Sequence, residues 1–131
     1  MSLACIDTHA LVWYLSKPSR LARGARRLLR RADAGRAEIL IPAITIVELG
    51  LLQEAGRRVP GAAQVEALCA AQPAFRVAAL DLSVALEFVL LSALDDPFDR
   101  MVVATARACD APLLTADTTI HDSALVTTVW E

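Results

Sequence analysis

The run LACIDTHALVWYL, Leu3–Leu15, decides the fold. Leu3–Asp7 reads as a short first strand, four apolar residues closed by an acid. Thr8–Leu15 reads as a helix, stopped by Ser16-Lys17-Pro18. The same exchange repeats along the chain. Leu21–Ala34 is helical, with Leu21, Ala25, Leu28, Leu29 and Ala32 on one face and Arg23, Arg26, Arg27 and Arg30 on another, and Gly35 ends it. Glu38–Ile41 is a second strand closed by Pro42, and helices follow at Thr45–Ala55 and Gly61–Ala71. Phe75–Ala78 is a third strand. Ser83–Ser92 is a helix with Ser83 as its expected N-cap. A further helix runs from Asp96-Pro97 to about Cys109, with Asp96 as N-cap and Pro97 at the first helical position. Leu113–Thr115, Asp117–Asp122 and Leu125–Val129 read as strand, helical turn and strand. Strand-length runs alternating with helical ones predict an α/β fold, with a central, mostly parallel twisted sheet of about five short strands flanked by helices.

Composition narrows the function. With 131 residues and no linker-like or repetitive stretch, residues 1–131 form one expected domain. A chain of this size buries roughly two thirds of its unfolded surface and needs no disulfide. The 56% hydrophobic content excludes disorder, and a pI near 5.7 excludes a generally basic nucleic-acid coat. The longest apolar stretches, Ile39–Leu52 and Val77–Leu91, carry Glu48, Asp81 and Glu87 and fall short of the ~20 residues a bilayer needs. No signal peptide is recognisable, and Cys5, Cys69 and Cys109 form no ligand motif, so they are expected as small hydrophobes in a reducing cytoplasm.

The acids carry the chemistry. In an open parallel sheet, ligands lie beyond the carboxyl ends of the strands. Asp7 follows the first strand and Asp117 follows Leu113-Leu114-Thr115-Ala116. Asp96 and Asp99 open a helix expected at the same rim, and Glu48 lies within the apolar run Ile44–Leu52. Each has an ordinary alternative. Asp7 and Asp117 could cap the helices after them, Asp96 and Asp99 could cap and complement a helix dipole, and Glu48 could be the one polar residue on an exposed face. No Lys or Arg adjoins Asp7, Glu48 or Asp117 in sequence, and converging carboxylates repel unless a cation joins them. Oxygen ligands favour Mg2+ or Mn2+ over zinc.

The segments CIDTHAL (Cys5–Leu11), IVE (Ile46–Glu48), DPFDRMVVATA (Asp96–Ala106) and LTAD (Leu114–Asp117) resemble those of PIN-domain proteins, and more narrowly of VapC toxins. The likeness spans Leu3 to Val129. It implies a single PIN-like domain acting as a Mg2+-dependent endoribonuclease, with Mn2+ able to substitute, that leaves 5′-phosphate and 3′-hydroxyl ends. By this resemblance Asp7, Glu48, Asp99 and Asp117 are the catalytic and metal-binding quartet, with Asp96 an accessory acid. Thr8 and Thr115 steady them, and Arg100 follows the third acid. Two positions depart from the pattern: Asp95 stands where relatives often carry a base, and Thr119 where some carry a further acid. The resemblance also implies a cytoplasmic homodimer that binds a cognate antitoxin, in hetero-oligomers, with no membrane attachment.

Charge is uneven. Lys17–Arg36 holds eight basic residues and one acid, net +7, which leaves −9 on the rest of a chain whose total is −2. Arg23, Arg27 and Arg30, together with Arg100 beside the third acid, are candidates for gripping RNA phosphates or an acidic antitoxin segment, beside the reading of a simply solvated face. Trp13, Tyr14 and Trp130 are expected in packing, His9 and His121 in structural or surface roles. The apolar surplus of Ile44–Leu52 and Val59–Leu68 marks the expected dimer and antitoxin surface. The remaining alternatives are a noncatalytic PIN-like RNA- or protein-binding module and a PIN nuclease acting on other nucleic acids. A receiver domain lacks its late Lys, Lys17 being the only lysine, and no GxGxxG or P-loop is present.

Overall fold

The central apolar runs become strands because they are buried on both faces. The computed structural model describes residues 2–131. Five strands, β1 (Ser2–Ile6), β2 (Ala37–Pro42), β3 (Phe75–Ala78), β4 (Leu113–Leu114) and β5 (Thr128–Val129), form one sheet in the order β3-β2-β1-β4-β5. All four pairings are parallel, so the sheet is wholly rather than mostly parallel. Along β1 the side chains alternate between two packed layers. Ala4 and Ile6, with Ile39, Ile41 and Phe75, meet α1 (Thr8–Ser16), α2 (Arg23–Asp33), α3 (Ala43–Glu54) and α4 (Ala62–Ala71). Cys5, with Leu40 and Leu113, meets α5 (Leu82–Val89), α6 (Pro97–Ala108) and α7 (Thr118–Ser123).

The strand order places the site. The chain moves from β1 outward through β2 to β3, then returns to the other side of β1 for β4 and β5. The β1–β4 seam is therefore the switch point, where a crevice opens beyond the carboxyl ends. Asp7 leaves β1 there, and its backbone N–H donates to Leu114 O at 3.1 Å.

Several sequence expectations need correction. The α5 cap is Asp81, whose Oδ1 accepts from Val84 N at 3.1 Å, and not Ser83, which lies inside the helix. Ser83 stands two positions too late, because Asp81 already has the extended backbone a cap requires. The helix also ends at Val89, short of Ser92, where the chain turns to bury Leu91 and Leu94. Pro18–Arg20 forms a 3-10 turn, so α2 begins at Arg23 rather than Leu21. The last strand is confined to Thr128–Val129, and β4 stops at Leu114.

Most of the apolar surplus of α3 and α4 is also accounted for. Leu49, Val65 and Leu68 are buried, and Ile46, Leu52 and Val59 pack against the same cluster. The most exposed large apolar side chains lie on α5 and just after it (Leu82, Leu86, Val89, Leu90), with Val47 and Leu51 on α3, Val77 on β3 and Leu80 before α5 also exposed. Trp13 meets Trp130 at 5.7 Å and Tyr14 stacks on Phe75 at 5.3 Å, so these aromatics pack as expected. Of the cysteines, only Cys5 is fully buried.

The corrected cap is testable. Asp81→Ala should lower unfolding stability by about 1 kcal/mol, while Ser83→Ala should change it by only a few tenths. Urea denaturation of both variants checks this, and an equal loss from each would return the cap to Ser83.

Candidate functional site

The sheet rim gathers acids from four elements. Asp7 ends β1, Glu48 lies on α3, Asp99 on the first turn of α6, and Asp117 precedes α7. Three of the five predicted acids do cap helices. Asp7 Oδ1 accepts from Ala10 N at 2.8 Å, and Asp117 Oδ1 from Ile120 N at 3.0 Å. Asp96 Oδ1 accepts from Phe98 N and Asp99 N at 2.8 and 3.1 Å. Capping and convergence are not alternatives here, because a carboxylate that accepts a cap bond keeps further lone pairs for other partners.

Two threonines tie the carboxylates together. Thr115 Oγ1 donates to Asp7 Oδ2, and the same oxygen accepts from Asp117 N at 3.0 Å. One hydroxyl thus links the ends of β1 and β4. Thr8 Oγ1 donates to Glu48 Oε1 at 2.6 Å and lies 3.3 Å from the hydroxyl of buried Thr45. Thr45 was not singled out from sequence. Its signal was its spacing, three residues before Glu48 and hence on the same face of α3.

The electrostatics are those of an unpaired acidic cluster. Burial raises the pKa of Asp7, opposed by its bonds from Thr115 and Ala10. Burial also raises Asp99, joined by the charges of Asp96, Asp117, Glu48 and Asp7, which together push it up to about 6. Among the described residues the ion pairs are Arg76–Glu38 and Arg107–Glu87, so none of these acids is held in an ion pair, although the charge of His9 opposes the rise at Asp7. Arg100, adjacent in sequence, is engaged by α5: its Nε donates to Phe88 O at 3.0 Å and its guanidinium lies 4.1 Å from the Phe88 ring centre. His9 is exposed on α1, and exposed His121 meets Thr128 Oγ1 at 2.6 Å.

The oxygens left free at the rim are of the kind a divalent cation takes. Asp117 Oδ2, Glu48 Oε2 and both oxygens of Asp99 have no hydrogen-bond partner among the described residues. All are hard oxygen donors, suited to Mg2+. Among the described residues, no three acidic, His or Cys side chains stand close enough to enclose an ion alone. The acids converge as a field rather than a closed cage, which suits an ion that keeps several of its waters.

Residues 4–124 match the PIN domain family. Ribonuclease VapC22 of Mycobacterium tuberculosis (strain ATCC 25618 / H37Rv) is 30% identical over 137 residues, covering 99% of this chain and all of the relative. Two solved structures share the fold at 14% identity. VapBC2 from Rickettsia felis, bound to a DNA fragment from its promoter, superposes with a TM-score of 0.71 over 98% of this chain and 99% of that one. DNA-bound VapBC from Salmonella typhimurium gives 0.68 over 98% and 97%.

The raised Asp99 carboxyl sets a pH dependence. Its folded pKa of about 6 exceeds its ordinary value of 3.8, so the folded form holds the proton more tightly. The stability this contributes is complete below 3.8 and is lost as pH rises through 6. In chelator, thermal stability should therefore rise as pH falls from about 7 towards 5. Asp99→Asn should flatten that slope and stabilise the protein at neutral pH by about 1 kcal/mol, a modest figure because solvent screens this half-exposed group. Calorimetry checks both, and an Asn variant no more stable at neutral pH would contradict the repulsion.

Proposed function

The chain belongs to the PIN-domain family, in its VapC branch, and from that premise we propose that it is a Mg2+-dependent endoribonuclease and the toxin of a toxin–antitoxin pair. One observation carries the reading: four carboxylates from four elements face one another's charge at the sheet's switch point, and among the described residues none is held in an ion pair. Such a cluster destabilises the fold on its own and becomes favourable when a divalent ion is bound.

RNA phosphodiesters are anionic, and the bare rim repels them. When bound at these acids, Mg2+, or Mn2+ in its place, would supply positive charge against the phosphate and a lowered pKa for its bound water. Asp7, Asp99 and Asp117 would hold it, with Asp96 accessory at the mouth. Asp7 is the fixed point, because Ala10 N and Thr115 Oγ1 each restrain one of its oxygens. Thr8 holds Glu48 Oε1, which leaves Oε2 to ligate the ion or to accept a hydrogen bond from the attacking water and orient it. The Asp99 carboxylate accepts no hydrogen bond among the described residues, only its backbone N–H being engaged by Asp96, and it is therefore the acid freest to follow a ligand. Asp117 is steadied from both sides, by Ile120 N on its side chain and by Thr115 at its backbone.

The assembly is read from surfaces. Leu82, Leu86, Val89 and Leu90, spaced as one helical stripe, are each at least 61% exposed. With Val47 and Leu51 they offer more apolar surface than a free monomer usually shows, which supports a homodimer centred on α5 rather than on α4. The likeness to VapBC assemblies supports an antitoxin as the second partner.

Asp99→Asn and Asp117→Asn should each lower RNA cleavage at least 100-fold while leaving the circular dichroism spectrum unchanged. Chelator should abolish wild-type cleavage, and Mg2+ or Mn2+ should restore it. Mapping of new 5′ ends on cellular RNA after brief induction measures this. Wild-type cleavage by either variant would displace the site, and metal-independent cleavage would displace the mechanism. No cleavage of RNA at all would favour a binding module, or a nuclease for another nucleic acid. Leu86→Glu should shift the protein from dimer to monomer in sedimentation, and an unchanged dimer would remove α5 from the interface.

A further inference from the structure

The outer face of α2 is lined with arginine to an extent that local stability does not explain. Arg23, Arg26, Arg27, Arg30 and Arg31, with Arg36 beyond the helix, border a single groove of about 790 Å³. Glu131 is the only acid on its walls. Among the described residues none of the six joins an ion pair, and Arg23, Arg27 and Arg30 make no side-chain hydrogen bond. The helix also begins against the usual rules. Its N-cap, Ala22, has no side-chain acceptor, its first turn has no acid, and Arg23 places a positive charge at the positive end of the dipole. Repelling guanidinium groups at an uncapped helix start are a stability cost, and such local violations mark function.

The groove does not end blindly. Glu131 also borders a second cleft, of about 520 Å³, whose walls include Thr115, Asp117, His121 and Trp130. That cleft reaches the carboxylate rim through Asp117 and Thr115. The two are held in register by a close backbone approach: Ala25 N donates to Trp130 O at 2.9 Å, and a Cβ on Gly24 would collide with the carbonyl of Glu131. The arginine helix is thus pinned against the strand that borders the site.

We infer that the arginine groove of α2 is the track for the phosphate backbone of the RNA strand flanking the cut, entering the carboxylate site by the cleft beside Trp130. The inference rests on the ribonuclease reading above. Arg23 to Arg31 spans ~12 Å of helix, enough for two or three successive phosphates. Guanidinium groups suit them through paired N–H donors. A protein partner is the weaker occupant, because stable protein docking needs large apolar anchors and Leu21 is the only large apolar residue on these walls.

The test separates grip from cutting. Binding of a fluorescein-labelled single-stranded RNA to full-length Asp99→Asn protein is followed by anisotropy in chelator, across a salt series. Adding Arg27→Ala with Arg30→Ala should weaken binding at low salt about tenfold or more. It should also reduce the slope of log affinity against log salt by about 1.4, near 0.7 for each lost phosphate contact. The matched Arg27→Lys with Arg30→Lys variant, which keeps both charges, should retain the slope. Circular dichroism of each variant controls for folding. Unchanged affinity and slope in the alanine variant would overturn the inference, as would unchanged RNA binding joined to loss of a co-expressed antitoxin. Failure of the wild type to cleave RNA with Mg2+ present would remove the ribonuclease reading, and the anisotropy result would still decide the groove.

Discussion

The burial of Asp7 at the end of the central strand is the constraint on which the rest of the molecule depends. A carboxylate at 9% exposure is tolerable only with its oxygens engaged. One oxygen starts α1 through Ala10 N, and the other takes the Thr115 hydroxyl from the neighbouring strand. Thr115 in turn accepts from the backbone of Asp117. A single side chain therefore sets where the first helix begins, how β1 meets β4, and where the last acid stands. The β1–β4 seam is where the winding of the sheet reverses, which opens a crevice beyond the strand ends. The polar tether at that point holds the rim open and in shape.

Charge is then distributed about this tether in opposition. The rim concentrates acids whose charges help raise the Asp99 carboxyl, while α2 concentrates arginines that, among the described residues, join no ion pair. The two regions do not neutralise each other, although Glu131 stands on the walls of both adjoining clefts. A fold selected for stability alone would have interleaved them as surface pairs. Keeping them apart preserves two fields of opposite sign, one suited to cations and one to polyanions, and nucleic-acid hydrolysis needs both.

Much of this was legible in the sequence, for physical reasons. Parallel strands buried on both faces show as unbroken apolar runs, so LACI and EILI announced β1 and β2 directly. Asp96-Pro97 marked the start of α6 because the two residues satisfy the same helix terminus in different ways. The family likeness placed the acids, and the strand order brings Asp7 and Asp117 together at one seam. Position along a chain does not report exposure, however. The apolar content of α3 and α4 looked like an interface and is mostly core, whereas the α5 stripe went unremarked because its pattern also fits burial. Thr45 was silent because a buried threonine looks the same whether it fills space or supports a neighbour. Arg100 looked like a phosphate contact by its place in a motif, and its partner Phe88 lies on another helix that no local pattern connects to it.

The sharing of oxygens at Asp7 and Asp117 has a genetic consequence. In each, one oxygen serves the helix start, and a cap can be kept by asparagine. A single-base change converts an aspartate codon to an asparagine codon. At these positions mutation therefore has a short path to a chain that still folds but carries less charge at the rim. A culture under pressure from such a protein would reach silent alleles through these codons sooner than through the core. Descendants recovered from that pressure would be full-length, folded and inert.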